Sequence, residues 1–119
     1  MKPFKLMCSL HGHTSDVKSL CTTKENGGFA SASRDLTAKL WKCIENRSYC
    51  EEQTVNEHTK FVNSVAVIYS IANYPNGLIV TGSNDQTIAI NDAQSRQLLC
   101  KLKEHEGAGK FIFSFFVFI

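Results

Sequence analysis

No stretch of this sequence is strongly basic, strongly acidic or apolar over a membrane-spanning length. Thirteen Lys and Arg against eleven Asp and Glu leave a net charge of +2 over 119 residues. A chain this close to neutral, with Lys101, Lys103 and Lys110 interrupted by Glu104 and Glu106, has no basic stripe for nucleic acid or an anionic membrane. The longest apolar run, Phe111 to Ile119, contains Ser114 and is nine residues long. A spanning helix needs about 20. The N-terminal Met1-Lys-Pro-Phe-Lys5 lacks the apolar core of a signal peptide. The five cysteines, Cys8, Cys21, Cys43, Cys50 and Cys100, are odd in number and include no C-x-x-C pair. That argues against a disulfide framework and a structural zinc site, and for reduced thiols in the cytoplasm and also the nucleus. Without secretion, the sequon Asn46-Arg47-Ser48 carries no meaning. Helical periodicity is also missing, so no amphipathic helix is predicted.

What the sequence does have is internal repetition. His13-Thr-Ser-Asp-Val-Lys-Ser-Leu20 aligns with His58-Thr-Lys-Phe-Val-Asn-Ser-Val65. Phe29-Ala-Ser-Ala-Ser-Arg-Asp-Leu-Thr-Ala-Lys-Leu-Trp41 aligns with Ile79-Val-Thr-Gly-Ser-Asn-Asp-Gln-Thr-Ile-Ala-Ile-Asn91. A third start appears at Leu102-Lys-Glu-His105, so the histidines are spaced 45 and 47 residues apart. Within each unit, β-branched and apolar stretches alternate with turn clusters such as Asn26-Gly-Gly28 and Tyr74-Pro-Asn-Gly77. Strands are predicted over 17–22, 29–33, 36–42, 48–55, 62–68, 78–83, 87–91 and 97–103, with 7–10 as a further outer strand. The second unit is five residues longer between its histidine and aspartate, and the excess falls around Tyr69 to Asn76. The fold class is therefore all-β.

A repeat of this length carrying Gly12-His13, Ser31, Asp35 and Trp41 resembles the WD-repeat family. The resemblance covers about residues 4 to 108 and implies β-propeller blades. It divides the chain into an outer strand of the closing blade (4–10), a first repeat (11–55), a second (56–103), and the start of a third with an aberrant apolar tail (104–119). It also implies a hydrogen-bonded tetrad in which Trp41 donates to Ser31, Ser31 bonds His13, and His13 bonds Asp35. The second repeat would keep His58, Thr81 and Asp85 but has Asn91 in place of the indole and Glu57 in place of glycine, so its blade should be weaker. A hydrolase triad of Ser31, His13 and Asp35 fits poorly, because no nucleophile elbow or oxyanion-hole glycines surround Ser31. A zinc site at His11-x-His13 lacks partner ligands. No catalysis, metal or cofactor is expected.

A narrower resemblance rests on Ser33-Arg-Asp-Leu-Thr-Ala-Lys-Leu-Trp41, Asn46-Arg-Ser48, His58 with Phe61-Val62, and Tyr74-Pro-Asn-Gly-Leu-Ile79. In this order they resemble the first two blades of the phospholipase A(2)-activating protein family. That family links ubiquitin to an AAA-ATPase, which implies a protein-binding scaffold that takes ubiquitin or a ubiquitinated protein. Its later domains lie outside these residues, so AAA-ATPase binding is not expected here. The alternatives are a WD-repeat scaffold of another complex, or blades with no ligand of their own. Propeller geometry puts Asp16, Lys18, Arg34, Phe61, Asn63 and Asn84 on the rim that meets a partner.

Two blades and the start of a third fall short of the about four to eight that close a ring. The chain is therefore expected to have open sheet edges and not to be self-sufficient. Phe111-Ile-Phe-Ser-Phe-Phe-Val-Phe-Ile119 is apolar on both faces and fits an aggregation-prone segment. It is expected to be translated intron or other non-repeat sequence, since Gly109-Lys110-Phe111 can be encoded across a splice-donor string. The competing reading is a genuine first strand of a third blade.

Overall fold

The computed structural model describes residues 4–23, 27–45, 48–69 and 73–103. Eight strands follow in chain order: β1 (Val17–Thr22), β2 (Phe29–Ser33), β3 (Ala38–Ile44), β4 (Ser48–Val55), β5 (Val62–Ile68), β6 (Leu78–Ser83), β7 (Ile88–Asp92) and β8 (Leu98–Leu102). They form two four-stranded antiparallel meanders, β1-β2-β3-β4 and β5-β6-β7-β8. The class is all-β, and each sheet is one blade. The expected tail at 104–119 lies outside the described residues.

The two blades share their irregularities as well as their pairing. Phe29 pairs with Trp41, and Ile79 with Asn91. Bulges recur at Val17/Ser19 and Val62/Ser64, and again at Leu40/Trp41 and Ile90/Asn91. Each β2–β3 or β6–β7 turn is closed from Ser33 N–H to the Thr37 carbonyl (3.0 Å), or from Ser83 N–H to the Thr87 carbonyl (3.2 Å). Leu36 and Gln86 hold these turns at φ of 79° and 67°, a region that side chains occupy at some cost. β5 and β6 are each one residue longer than β1 and β2, and the other three of the second unit's five extra residues lie in the connection between β5 and β6. Their end is fixed by a turn in which Gly77 N–H bonds the Tyr74 carbonyl at 3.0 Å. Gly77 sits at φ 93°, and a Cβ there would meet the Ile68 carbonyl at 2.8 Å.

The main core lies between the blades. Ala30, Ala32, Ala38, Leu40 and Val55 of the first meet Val62, Val65 and Ile79 of the second. β5 packs across β1 and β2. The bulge between Val62 and Ser64 lets both Val62 and Val65 point into this seam, though strict alternation would separate them. A smaller cluster of Ala66 and Val80, flanked by Ile68, Ile88 and Ile90, covers the other face of the second blade.

One expected strand does not form. Residues 4–10, read as the outer strand of a closing blade, are in no strand, and Phe4, Leu6 and Met7 are exposed. A strand needs a neighbour for its backbone groups, and among the described residues the sheet that would flank this segment is not present. Among the same residues no helix is long and apolar enough to cross a membrane.

Candidate protein-interaction rim and its buried support

In each blade, strand ladders and turns converge on one acidic side chain. The Asp35 carboxylate accepts four hydrogen bonds. Oδ2 takes the Thr14 N–H at 3.1 Å and the His13 Nδ1–H at 2.8 Å. Oδ1 takes the Thr37 N–H at 3.0 Å and the Thr37 hydroxyl at 2.6 Å. This uses the full acceptor capacity of a carboxylate, which no amide could supply. Burial pushes the Asp35 carboxyl up, but the Thr37, His13 and Thr14 bonds outweigh it and hold it at about 2. Asp85 repeats the pattern with His58, Thr59 and Thr87 and is also held at about 2.

The direction of the hydrogen bonds in the first blade follows from chemistry. The Trp41 indole can only donate, and it reaches Ser31 Oγ at 2.9 Å. Ser31 therefore gives its proton to His13 Nε2, 2.6 Å away, and His13 gives Nδ1–H to Asp35. Ser31, His13 and Asp35 thus stand in the order of a hydrolytic triad. Ser31 is 2% exposed and the indole occupies its oxygen, so no reacting carbon reaches the hydroxyl. Cys21, a second conceivable nucleophile, is pushed up to about 11 by burial and stays a thiol. Among the described residues no group of three or more His, Cys, Asp or Glu could hold a metal ion.

The second blade keeps His58 between Thr81 Oγ1 (2.8 Å) and Asp85 Oδ2 (3.0 Å). Burial holds the His58 imidazole below its ordinary range despite Asp85. Asn91 takes the indole's place, is 2% exposed, and leaves its Oδ1 without a hydrogen-bond partner. The two departures of this repeat are one event in space. A Cβ on Gly12 would lie 2.7 Å from Trp41 Cη2, so the indole requires glycine before His13. Where Asn91 replaces the indole, the position before His58 is free to be Glu57.

Sequence reading missed several members of this network. Ser33 accepts the Asp35 N–H at 3.0 Å and donates to the Asp16 carbonyl at 2.8 Å. Ser83 accepts the Asp85 N–H at 3.1 Å and donates to the Lys60 carbonyl, also at 3.1 Å. Thr37 and Thr87 complete the acid's shell. The signal was present as Ser-x-Asp-x-Thr, common to both units at 33–37 and 83–87. Lys39, nearly buried on β3, was also missed. Its Nζ meets Glu51 Oε1 at 2.7 Å and Thr54 Oγ1 at 3.1 Å. In the second blade Ala89 stands at that position, and Lys101 from β8 reaches the Glu57 carbonyl instead.

These networks fix the end of each sheet that carries the six positions expected on the rim. Arg34 N–H bonds the Asp16 carbonyl and Asn84 N–H bonds the Phe61 carbonyl, both at 2.9 Å. The Arg34 guanidinium lies over the Phe61 ring, 4.7 Å from its centroid, and 3.8 Å from Asp16 Oδ2. Asp16, Arg34 and Phe61 thus form one cluster that crosses from the first blade to the second. Asn63 and Asn84 are joined by a side-chain bond within the second blade. Lys18 is exposed on β1, apart from that pair.

Two repeats with this network are matched by the family model described as WD domain, G-beta repeat, over residues 4–42 and 50–92. The chain belongs to the WD-repeat family. Its family is one of protein-interaction scaffolds rather than catalysts. The chain is similar to phospholipase A-2-activating protein of Xenopus laevis, with 39% identity over 106 residues, 87% of the chain and 13% of that protein. This agrees with the narrower resemblance read from the sequence. It is similar to pre-mRNA-processing factor 19 of Oryza sativa subsp. japonica at 30% over 103 residues, 87% of the chain and 19% of that protein. It is also similar to ubiquitin homeostasis protein lub1 of Schizosaccharomyces pombe, with 31% identity over 86 residues, 72% of the chain and 12% of that protein. The chain spans less than a fifth of the length of each of these relatives.

Trp41→Phe removes a donor and leaves Ser31 part-satisfied, so it should lower the unfolding free energy by about 1–3 kcal/mol in urea melts followed by circular dichroism. Asn91→Leu, which removes a buried unpartnered oxygen, should leave the midpoint equal or raise it. Acid should act in two stages. His58 has a lowered folded pKa, so its share of stability is complete above about 6.5 and declines as pH falls below that. The shares of Asp35 and Asp85 are complete above their ordinary value near 3.8 and are lost as pH falls through about 2. A pH series of melts on Asp35→Asn should show a smaller loss below pH 4 than the parent chain. Identical acid limbs would contradict the assignment.

Proposed function

We propose that this chain is a non-catalytic WD-repeat scaffold whose rim binds ubiquitin or a ubiquitinated protein in ubiquitin-dependent protein turnover. The observation that carries the reading is the Asp16–Arg34–Phe61 cluster across the two blades. Arg and aromatic side chains dominate the binding energy of protein interfaces. Here the guanidinium stacked on Phe61 is a preformed, partly desolvated anchor that costs little ordering on binding. Lys18, Asn63 and Asn84, the other residues expected on the rim, add polar groups able to trade hydrogen bonds with a backbone. The partner class is supported by two similar proteins, the phospholipase A-2-activating protein and the one named for ubiquitin homeostasis. Work on ubiquitinated proteins implies a reducing location, the cytoplasm and nucleus, in keeping with five free cysteines.

The test is a titration of labelled ubiquitin with the 119-residue chain by fluorescence anisotropy. Phe61→Ala and Arg34→Ala should each weaken binding about fivefold or more, the scale of an interface hot spot. Lys42→Ala, towards the other end of β3, should leave it unchanged. Equal affinity across all three variants would remove the rim from the account. Absence of binding by the parent chain would reject ubiquitin as the partner.

A further inference from the structure

Arg34 is bracketed by two residues that hold the same place in successive repeats. Asp16 stands three residues after His13, and Phe61 three residues after His58. The carbonyl of each is held at 2.9 Å by a backbone N–H, of Arg34 and of Asn84 respectively, so both side chains leave matching, anchored backbone. One face of the Arg34 guanidinium lies on the Phe61 ring. Nη1 is 3.8 Å from Asp16 Oδ2, which is too long for a hydrogen bond. Among the described residues no other oxygen accepts from this guanidinium. The side chains of Arg34 and Asp16 are 47% and 71% exposed, so the donor fork is solvent-accessible and Asp16 stands beside it without closing on it.

We propose that the open edge of Arg34 is a carboxylate subsite of the rim that takes an Asp or Glu side chain of the partner protein, with Asp16 setting its selectivity as an internal competitor. The proposal rests on the reading of the rim as the partner-binding face. A planar guanidinium offers parallel N–H donors that match the two oxygens of a carboxylate, and stacking on a ring leaves those edges free. The stack also orders the side chain before the partner arrives, which lowers the entropy lost on binding. Asp16 is close enough to repel an incoming anion and to pair with Arg34 itself. A partner side chain must therefore displace it, and a neutral one gains no charge-assisted bond by doing so.

The test has two arms. In the first, acetate, which carries the carboxylate alone, is titrated into the ¹⁵N-labelled 119-residue chain at constant ionic strength. It is followed at the arginine side-chain N–H resonances, with Arg34 assigned by its loss in Arg34→Ala. Arg34 should respond at about tenfold lower acetate than Arg96, an exposed arginine with no ring beside it among the described residues. Asp16→Asn should lower the acetate required by about a further threefold, because a nearby like charge is removed. Phe61→Leu should raise it towards that of Arg96. A response of Arg34 together with Arg96, or one unchanged in Asp16→Asn, would overturn the proposal. In the second arm, labelled ubiquitin is titrated with the same variants. Asp16→Asn should tighten binding about threefold. Arg34→Lys, which keeps the charge and loses the fork, should bind as weakly as Arg34→Ala. Ubiquitin ending in a carboxamide should show the same gain with Asp16→Asn; loss of that gain would assign the subsite to a chain end and overturn the side-chain assignment. If the acetate results hold and ubiquitin does not bind, the subsite stands and ubiquitin is rejected as the partner. If ubiquitin binds and Asp16→Asn leaves its affinity unchanged, the rim reading stands and the subsite is overturned.

Discussion

The carboxylate of Asp35, with its four donors, is the interaction on which the first blade depends. It joins the turn before β3 through Thr37, the segment entering β1 through Thr14, and the interior of β2 through His13 and Ser31. These elements come from three parts of the repeat, and the carboxylate adds side-chain ties to the backbone ladders that already join them. A buried polar line is stabilising only if each member is satisfied, and here each type is dictated by its neighbour. The indole donates, the hydroxyl relays, the imidazole relays, and the carboxylate receives. Ser33 then ties the same turn to the carbonyls of Ser15 and Asp16, which fixes the rim backbone from which Arg34 projects.

Scaffold and rim are thus coupled by covalent adjacency. Ser33 and Asp35 flank Arg34, so the residues that bury the turn also aim the guanidinium at Phe61. Phe61 is placed by an equivalent turn in the second blade, through its carbonyl and the Asn84 N–H. The backbone that carries this surface cluster is held by two such turns.

Much of this was legible in the sequence, and for a definite reason. Aligning the chain with itself exposes any residue whose role is internal to one blade. The strands and the five-residue extension before Asn76 came that way, and the sets His13–Ser31–Asp35–Trp41 and His58–Thr81–Asp85 were implied by the resemblance to the WD-repeat family. Ser33, Ser83, Thr37 and Thr87 also recur at equivalent positions, in the shared Ser-x-Asp-x-Thr, but no role for them is read from the sequence. What alignment could not supply was contact between unlike positions. The stacking of Arg34 on Phe61 crosses the seam and has no counterpart within one repeat. The Lys39–Glu51–Thr54 cluster is replaced in the second blade by Lys101 from a different strand, so the two units do not align there. The dependence of Gly12 on Trp41 needs the 2.7 Å approach of an atom that glycine lacks. Residues 4–10, expected to pair with a closing blade, are in no strand here, because pairing depends on a neighbouring sheet that is not present among the described residues.

Trp41 is the only tryptophan in the chain, so its indole N–H gives a single, assignable resonance. Its hydrogen–deuterium exchange measures directly whether the donor is held by Ser31 in a closed line to Asp35. The account predicts slow exchange in the parent chain and much faster exchange in Ser31→Ala with the strands retained. Rapid exchange in the parent chain, or equal rates in the two proteins, would contradict it.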